Sequence, residues 1–299
     1  MFLGQLAALS TAVMWALTAV FFNFGGRRMG TGVLNRSRVL FALLFLLAAH
    51  LLVEGTLFPL DAAPFRWFWL AISSILGLVL GDAFLYQAYV LIGPRLAMLL
   101  MSTVPIYSVL FGWILFGERI STIELTGTLM AVGGIGWVVT EKRRGRTQVE
   151  DKQYRTGILF ALAAALGQVA NLVTARYGLV GGYSTVSATV IRILIAVIVL
   201  WGVAILQRRV RHTFQMWRDR QALQAVVAGS FIGPFLGIWF SLIAVQNARL
   251  GVASTLMALT PILLIPIEYI VYKNPVSRRG VAGTVIAITG VALLFLPAG

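Results

Sequence analysis

Long apolar runs, separated by short basic or Gly/Pro-containing stretches, set the pattern of this chain. A helix needs about 20 such residues to cross ~30 Å of hydrocarbon. Runs approaching or exceeding that length lie at 5–24, 34–53, 65–91, 95–116 and 123–140, and again at 156–177, 184–206, 221–245, 251–272 and 279–296. Little more than Gly93 and Pro94 separates the third from the fourth. The fifth is followed by a polar stretch, the one candidate boundary between domains. The expected organisation is therefore an all-α integral membrane protein of ten transmembrane helices, with a first unit at 1–141, a basic linker at 142–155 and a second unit at 156–299.

The two units are copies. Shifting the sequence by 156 places Leu99–Ser121 on Thr255–Ser277 and Pro105 on Pro261. From Gly77 to Gly134 this register holds without a gap and gives 16 identities in 58 positions, where composition alone would give roughly one in ten. Gly4, Ala8, Leu9, Ala12 and Val20 fall on Gly157, Ala161, Leu162, Ala165 and Val173, and Arg38 falls on Arg192. Five crossings per copy is an odd number, so the second copy must enter the membrane from the opposite face. The repeats are expected to be inverted.

Composition narrows the class. Hydrophobic residues make up 59% and charged residues 11% of the chain, against about 25% charged in soluble proteins. The net charge of +14 would suggest nucleic acid in a soluble chain, but here the basic residues sit between apolar runs, where they orient helices. No nucleic-acid partner is expected. With no cysteine and only His50 and His212, no metal or cofactor is expected either. The N-terminal run lacks a basic lead and a small-residue cleavage site, so it reads as a retained helix. Counting Lys and Arg in the loops and adjoining helix ends gives 19 on one side and 5 on the other, with Arg38 in the richer set and Arg192 in the poorer. That asymmetry predicts a cytoplasmic linker and both termini extracytoplasmic.

Three features of this sequence together resemble a known family. They are the paired five-helix units, the proline in the fourth and ninth runs, and the ending Phe116-Gly117-Glu118-Arg119-Ile120-Ser121 followed by the glycine-spaced helix from Gly127 to Val138. The chain resembles the drug/metabolite transporter superfamily in its ten-helix EamA-type branch, with some similarity to aromatic amino-acid exporters. The second copy departs from the pattern, with Lys273-Asn274-Pro275 where Gly-Glu-Arg is common. The resemblance implies a secondary exporter or exchanger of small metabolites, amino acids or related amphipathic compounds, in a bacterial inner membrane. A small-molecule cargo and the bilayer are the partners expected, with the chain as a monomer. A membrane-embedded enzyme and a channel are the rival classes. Neither a nucleophile paired with a base nor a filter or charged ring is visible in the sequence, and there is no phosphate-binding loop to support ATP-driven pumping.

Polar residues inside apolar runs are the candidate chemistry. Asp82 lies midway along the third run, where a lone carboxylate costs about 2.5–3.5 kcal/mol on insertion scales. It is read either as a proton or cation site or as an acceptor for a neighbouring helix. Gln168 and Asn171 are one turn apart, and Trp15 is the repeat counterpart of Gln168. Tyr86 follows Asp82 by one turn, and Ser102 and Trp239 lie at comparable depth. Together Trp15, Asp82, Tyr86, Ser102, Gln168, Asn171 and Trp239 are the expected lining of a cargo cavity. Glu118 is read as a helix-end residue. Glycines at four-residue spacing, Gly77 and Gly81 and then Gly229, Gly233 and Gly237, predict close helix packing. Pro105 and Pro261 remove a backbone donor at matching places, so both are expected to break their helices and serve as hinges.

Overall fold

The computed structural model describes residues 2–101, 103–118, 121–139, 148–260, 262–264, 266–267, 282–283, 285–287, 289–290 and 293. Among these the regular structure is entirely helical. The helices are α1 (Phe2–Met29), α2 (Thr31–Glu54), α3 (Pro64–Ile92), α4 (Pro94–Met101), α5 (Val104–Phe116) and α6 (Thr122–Val139), then α7 (Gln148–Gly178), α8 (Thr185–Leu206), α9 (Val210–Met216), α10 (Arg220–Asn247) and α11 (Leu250–Met257). Six of them, α1, α2, α3, α7, α8 and α10, contain membrane-spanning length and apolarity. The other expected crossings are shorter or fall partly outside the described residues. The expected polar linker is already helical from Gln148, and α9 is a short helix that the apolar pattern did not announce.

Local chemistry explains the ends. Gly93 has φ +81°, which a side chain would resist, and lets the chain turn directly from α3 into α4, where Pro94 begins the next helix. Asp219 caps α10 by accepting from the Ala222 N–H at 3.1 Å. Ser121 and Glu124 cap α6 reciprocally, each side chain accepting from the other's backbone N–H.

Two antiparallel pairs form the centre. Along α1 and α10, Gly4 faces Asn247 and Ala248, Trp15 faces Gly237, Thr18 faces Gly233, Phe22 faces Gly229 and Gly25 faces Val226. Along α3 and α7, Gly178 faces Leu70, Gly77 faces Asn171, Gly81 faces Gly167 and Gly157 faces Ile92. The glycines thus admit partners that a methyl group would displace. Ala7 and Ala8 at the start of α1 share a buried cluster with Ala175 and Leu179 at the end of α7, while Ala19 and Phe22 share one with Ala161 and Ala164. The first helices of the two copies therefore run in opposite directions, as inversion requires.

Both α3 and α10 carry a wide, π-helical turn, at Ile75–Gly81 and Phe231–Gly237. The two coincide under the 156-residue shift. Pro234, inside the second, lacks the N–H that a regular α-turn would use there. The fourth apolar run is broken, as expected of Pro105, just before that proline. It is two helices, α4 and α5, with Thr103 at the turn between them.

Candidate functional site

The wide turns and the break before α5 surround one cavity of about 100 Å³. Both copies contribute walls: Trp15, Thr18, Phe22, Arg38, Asp82, Tyr86, Tyr89, Met98 and Met101 from the first, Gln168, Asn171, Arg192, Pro234, Ile238, Ser254, Met257 and Thr260 from the second. At ~10–15 Å³ per water, it has room for about seven to ten waters, or for a small organic molecule.

Two arginines dominate its polar side. Arg38 is buried on α2 and donates from Nε to Asn35 Oδ1 (2.9 Å) and from Nη2 to the Leu78 carbonyl (2.8 Å) and Asp82 Oδ2 (2.6 Å). The wide turn of α3 supplies the carbonyl, so the local backbone distortion and the ion pair belong to one arrangement. Arg38 also lies over the Tyr86 ring, 5.0 Å from its centroid. Tyr86 in turn meets Phe22 edge-on at 5.4 Å. Arg192 on α8 is equally buried and donates from Nη2 to Asn171 Oδ1 (2.5 Å). Asn171 Oδ1 also accepts from Ser73 (2.7 Å), and Asn171 Nδ2 donates to Gln168 (3.1 Å).

Of the expected site residues, Trp15, Asp82, Tyr86, Gln168 and Asn171 lie together on this wall. Asp82 has the helix-bridging partner that one of its two readings required, namely Arg38. Trp239 stands behind the wall: its indole donates to Thr185 Oγ1 at 3.1 Å and its ring packs near Phe235. Ser102 and Pro261 lie outside the described residues. Pro105 is buried in the first turn of α5, where the missing N–H interrupts no bond within that helix. The helix of the second copy is likewise interrupted after α11, at the turn formed by Ala258 and Leu259. At these two breaks Thr103 Oγ1 donates to the Leu100 carbonyl and Thr260 Oγ1 to the Met257 carbonyl, both at 2.8 Å.

Arg38 and Arg192 were counted above among charges that flank the membrane, and the structure corrects this by placing both in the cavity. The available signal was their coincidence under the repeat alignment, each arginine standing inside an otherwise apolar run. Glu118 also does more than end a helix. Its buried carboxylate pairs with Arg176 and accepts from the Leu250 N–H at 3.0 Å, while Glu124 pairs with Arg249. These contacts join α5, α6, α7 and α11 at one end of the bundle.

Known proteins share the sequence pattern and the fold. The EamA-like transporter family matches this chain twice, over residues 2–140 and 155–296. An uncharacterized transporter of Archaeoglobus fulgidus is 23% identical over 296 residues, covering 98% of each chain. A protein of known crystal structure superposes with a TM-score of 0.75 at 20% identity, over 99% of this chain and 97% of the other; that likeness concerns the fold alone. With both halves matched in succession, the chain belongs to the EamA-like transporter family.

Proposed function

We propose that this membrane transporter is a secondary carrier that exports or exchanges small amphipathic metabolites, amino acids or related compounds foremost, by alternating access between its inverted repeats. The observation that carries the reading is the central cavity. It is built from both copies, has aromatic and thioether walls with a few convergent polar groups, and is bordered by interrupted helices in each copy. Interrupted helices supply the places where half of a helix can swing while the other half stays packed. The α4–α5 break at Thr103 is such a place, with Pro105 keeping α5 from fusing with α4. In a bacterial inner membrane the basic loops would face the cytoplasm and both termini the outside. A monomer suffices for this cycle.

Counterflow in liposomes tests the proposal. Protein reconstituted with labelled amino acids, sugars and nucleosides is expected to show uptake stimulated by unlabelled cargo on the far side. A channel passes cargo without such stimulation, and an enzyme shows neither, so either result removes the carrier reading. Trp15→Ala is expected to reduce the exchange rate while preserving the melting temperature, and Pro105→Ala to preserve cargo binding while slowing exchange. Parental exchange in Pro105→Ala would remove the hinge assignment.

A further inference from the structure

The two cavity arginines occupy equivalent places in the two copies, yet only Arg38 makes an ion pair with an acid. Arg38 is held by Asn35, the Leu78 carbonyl and Asp82. At the position equivalent to Asp82 the second copy has Ile238, also on the cavity wall. Arg192 is 2% exposed, and its Nε, fully buried, has no hydrogen-bond partner in the structure. Its Nη2 shares the Asn171 carbonyl oxygen with Ser73. Two guanidinium groups and one carboxylate therefore line the cavity, leaving a formal excess of one positive charge among the described lining residues. An unpaired guanidinium in a desolvated site is costly, and an arriving anion offsets that cost. Guanidinium is also the side chain whose planar fork fits a carboxylate best.

We propose that Arg192 is the docking point for the carboxylate of the cargo, with the apolar body of the molecule lying against Trp15, Phe22 and Met257. The class so defined is small organic carboxylates, with or without an amino group, in preference to amines and neutral amides of the same shape. This assignment rests on the carrier reading above, and it adds a charge and a named residue to it.

The test uses purified full-length protein in detergent and three probes of nearly equal shape: phenylacetate, phenylacetamide and 2-phenylethylamine. Calorimetric titration is expected to show phenylacetate binding at least about thirtyfold more tightly than either of the others, because the amide and the amine leave the buried charge unpaired. Arg192→Gln is expected to abolish that preference, and Arg192→Lys to keep it at lower affinity, since charge remains but the fork is lost. Equal binding of the three probes by the parental protein, binding of none, or an intact preference in Arg192→Gln overturns the assignment. Should Arg192→Gln fail to fold, the parental series and Arg192→Lys decide. Counterflow separates the two levels of inference. Exchange of amines or neutral cargo without anion preference removes only the role of Arg192, whereas absent counterflow for every cargo removes the carrier reading itself.

Discussion

Replacing Gly134 by alanine probes the crossing between α6 and its repeat counterpart near the end of the chain. Gly134 and Gly290 are equivalent under the 156-residue shift, and each faces backbone of the other helix. A Cβ on Gly134 would lie 2.6 Å from both the Ala287 nitrogen and the Gly283 carbonyl oxygen, and one on Gly290 would lie 2.6 Å from the Ala131 nitrogen and the Gly127 carbonyl oxygen. Ordinary contact begins at 3.4 Å, so the helices must part by most of an ångström. The obstacles are main-chain atoms and cannot rotate away. Overpacking of this kind costs about 1–3 kcal/mol, and the upper part of that range applies here because no side chain can yield. Alanine returns about 1 kcal/mol of helix propensity, which leaves a net loss of about 1–2 kcal/mol. At ~2–4 °C per kcal/mol, the apparent melting temperature should fall by about 2–8 °C, with all variants compared at one scan rate. Gly133→Ala is the internal control, since nothing lies within 4 Å of its Cβ; it should match or exceed the parent. Gly290→Ala should act like Gly134→Ala, and the double substitution should cost less than the sum, because helices already parted admit the second methyl group. If Gly134→Ala melts with Gly133→Ala at or above the parental value, the close backbone crossing does not exist and the reasoning fails.

Two further predictions concern charge. Asp82→Ala strands Arg38 in the cavity and is expected to cost about 3–5 kcal/mol, while adding Arg38→Met should recover much of the loss; an unchanged melting temperature in the single variant would deny the pair a stabilising part. Outside the membrane, the Ala222 N–H first, and then the hydrogen bond from Arg28, hold the Asp219 carboxyl below the usual carboxylate range. A depressed acid contributes stability above its unfolded pKa of about 3.9 and loses it as pH falls through the folded value. The melting-temperature advantage of the parent over Asp219→Asn should therefore shrink between about pH 5 and pH 3, and an advantage that stays constant with pH would refute the linkage.

The membrane class, the duplication and its inversion were legible in the sequence because each is written locally. Hydropathy over about 20 residues reports whether a segment can cross the bilayer, and a duplicated segment keeps its order of residues whatever it packs against. The odd number of apolar runs per copy then forces the inversion that the α1 and α7 clusters display. Glycine spacing also pointed correctly to close packing, though it could not say that Gly77 admits Asn171 or that Gly233 admits Thr18. What tertiary structure alone decided is partnership. Asp82 could bridge to a neighbouring helix only if folding brought a donor to it, and Arg38, 44 positions away in sequence, is that donor. Arg192 looked like a flanking charge until its helix was packed on α2 and α3 and its side chain reached Asn171 of α7 at the cavity. Trp239 shares the depth of the cavity residues but stands behind them, because depth along a helix does not fix which face meets the axis. The wide turns escaped the apolar pattern because a shift from i+4 to i+5 bonding leaves hydropathy unchanged and shows only in the backbone. Local sequence sets which segments enter the membrane, and the buried charges acquire their meaning only from neighbours that folding brings to them.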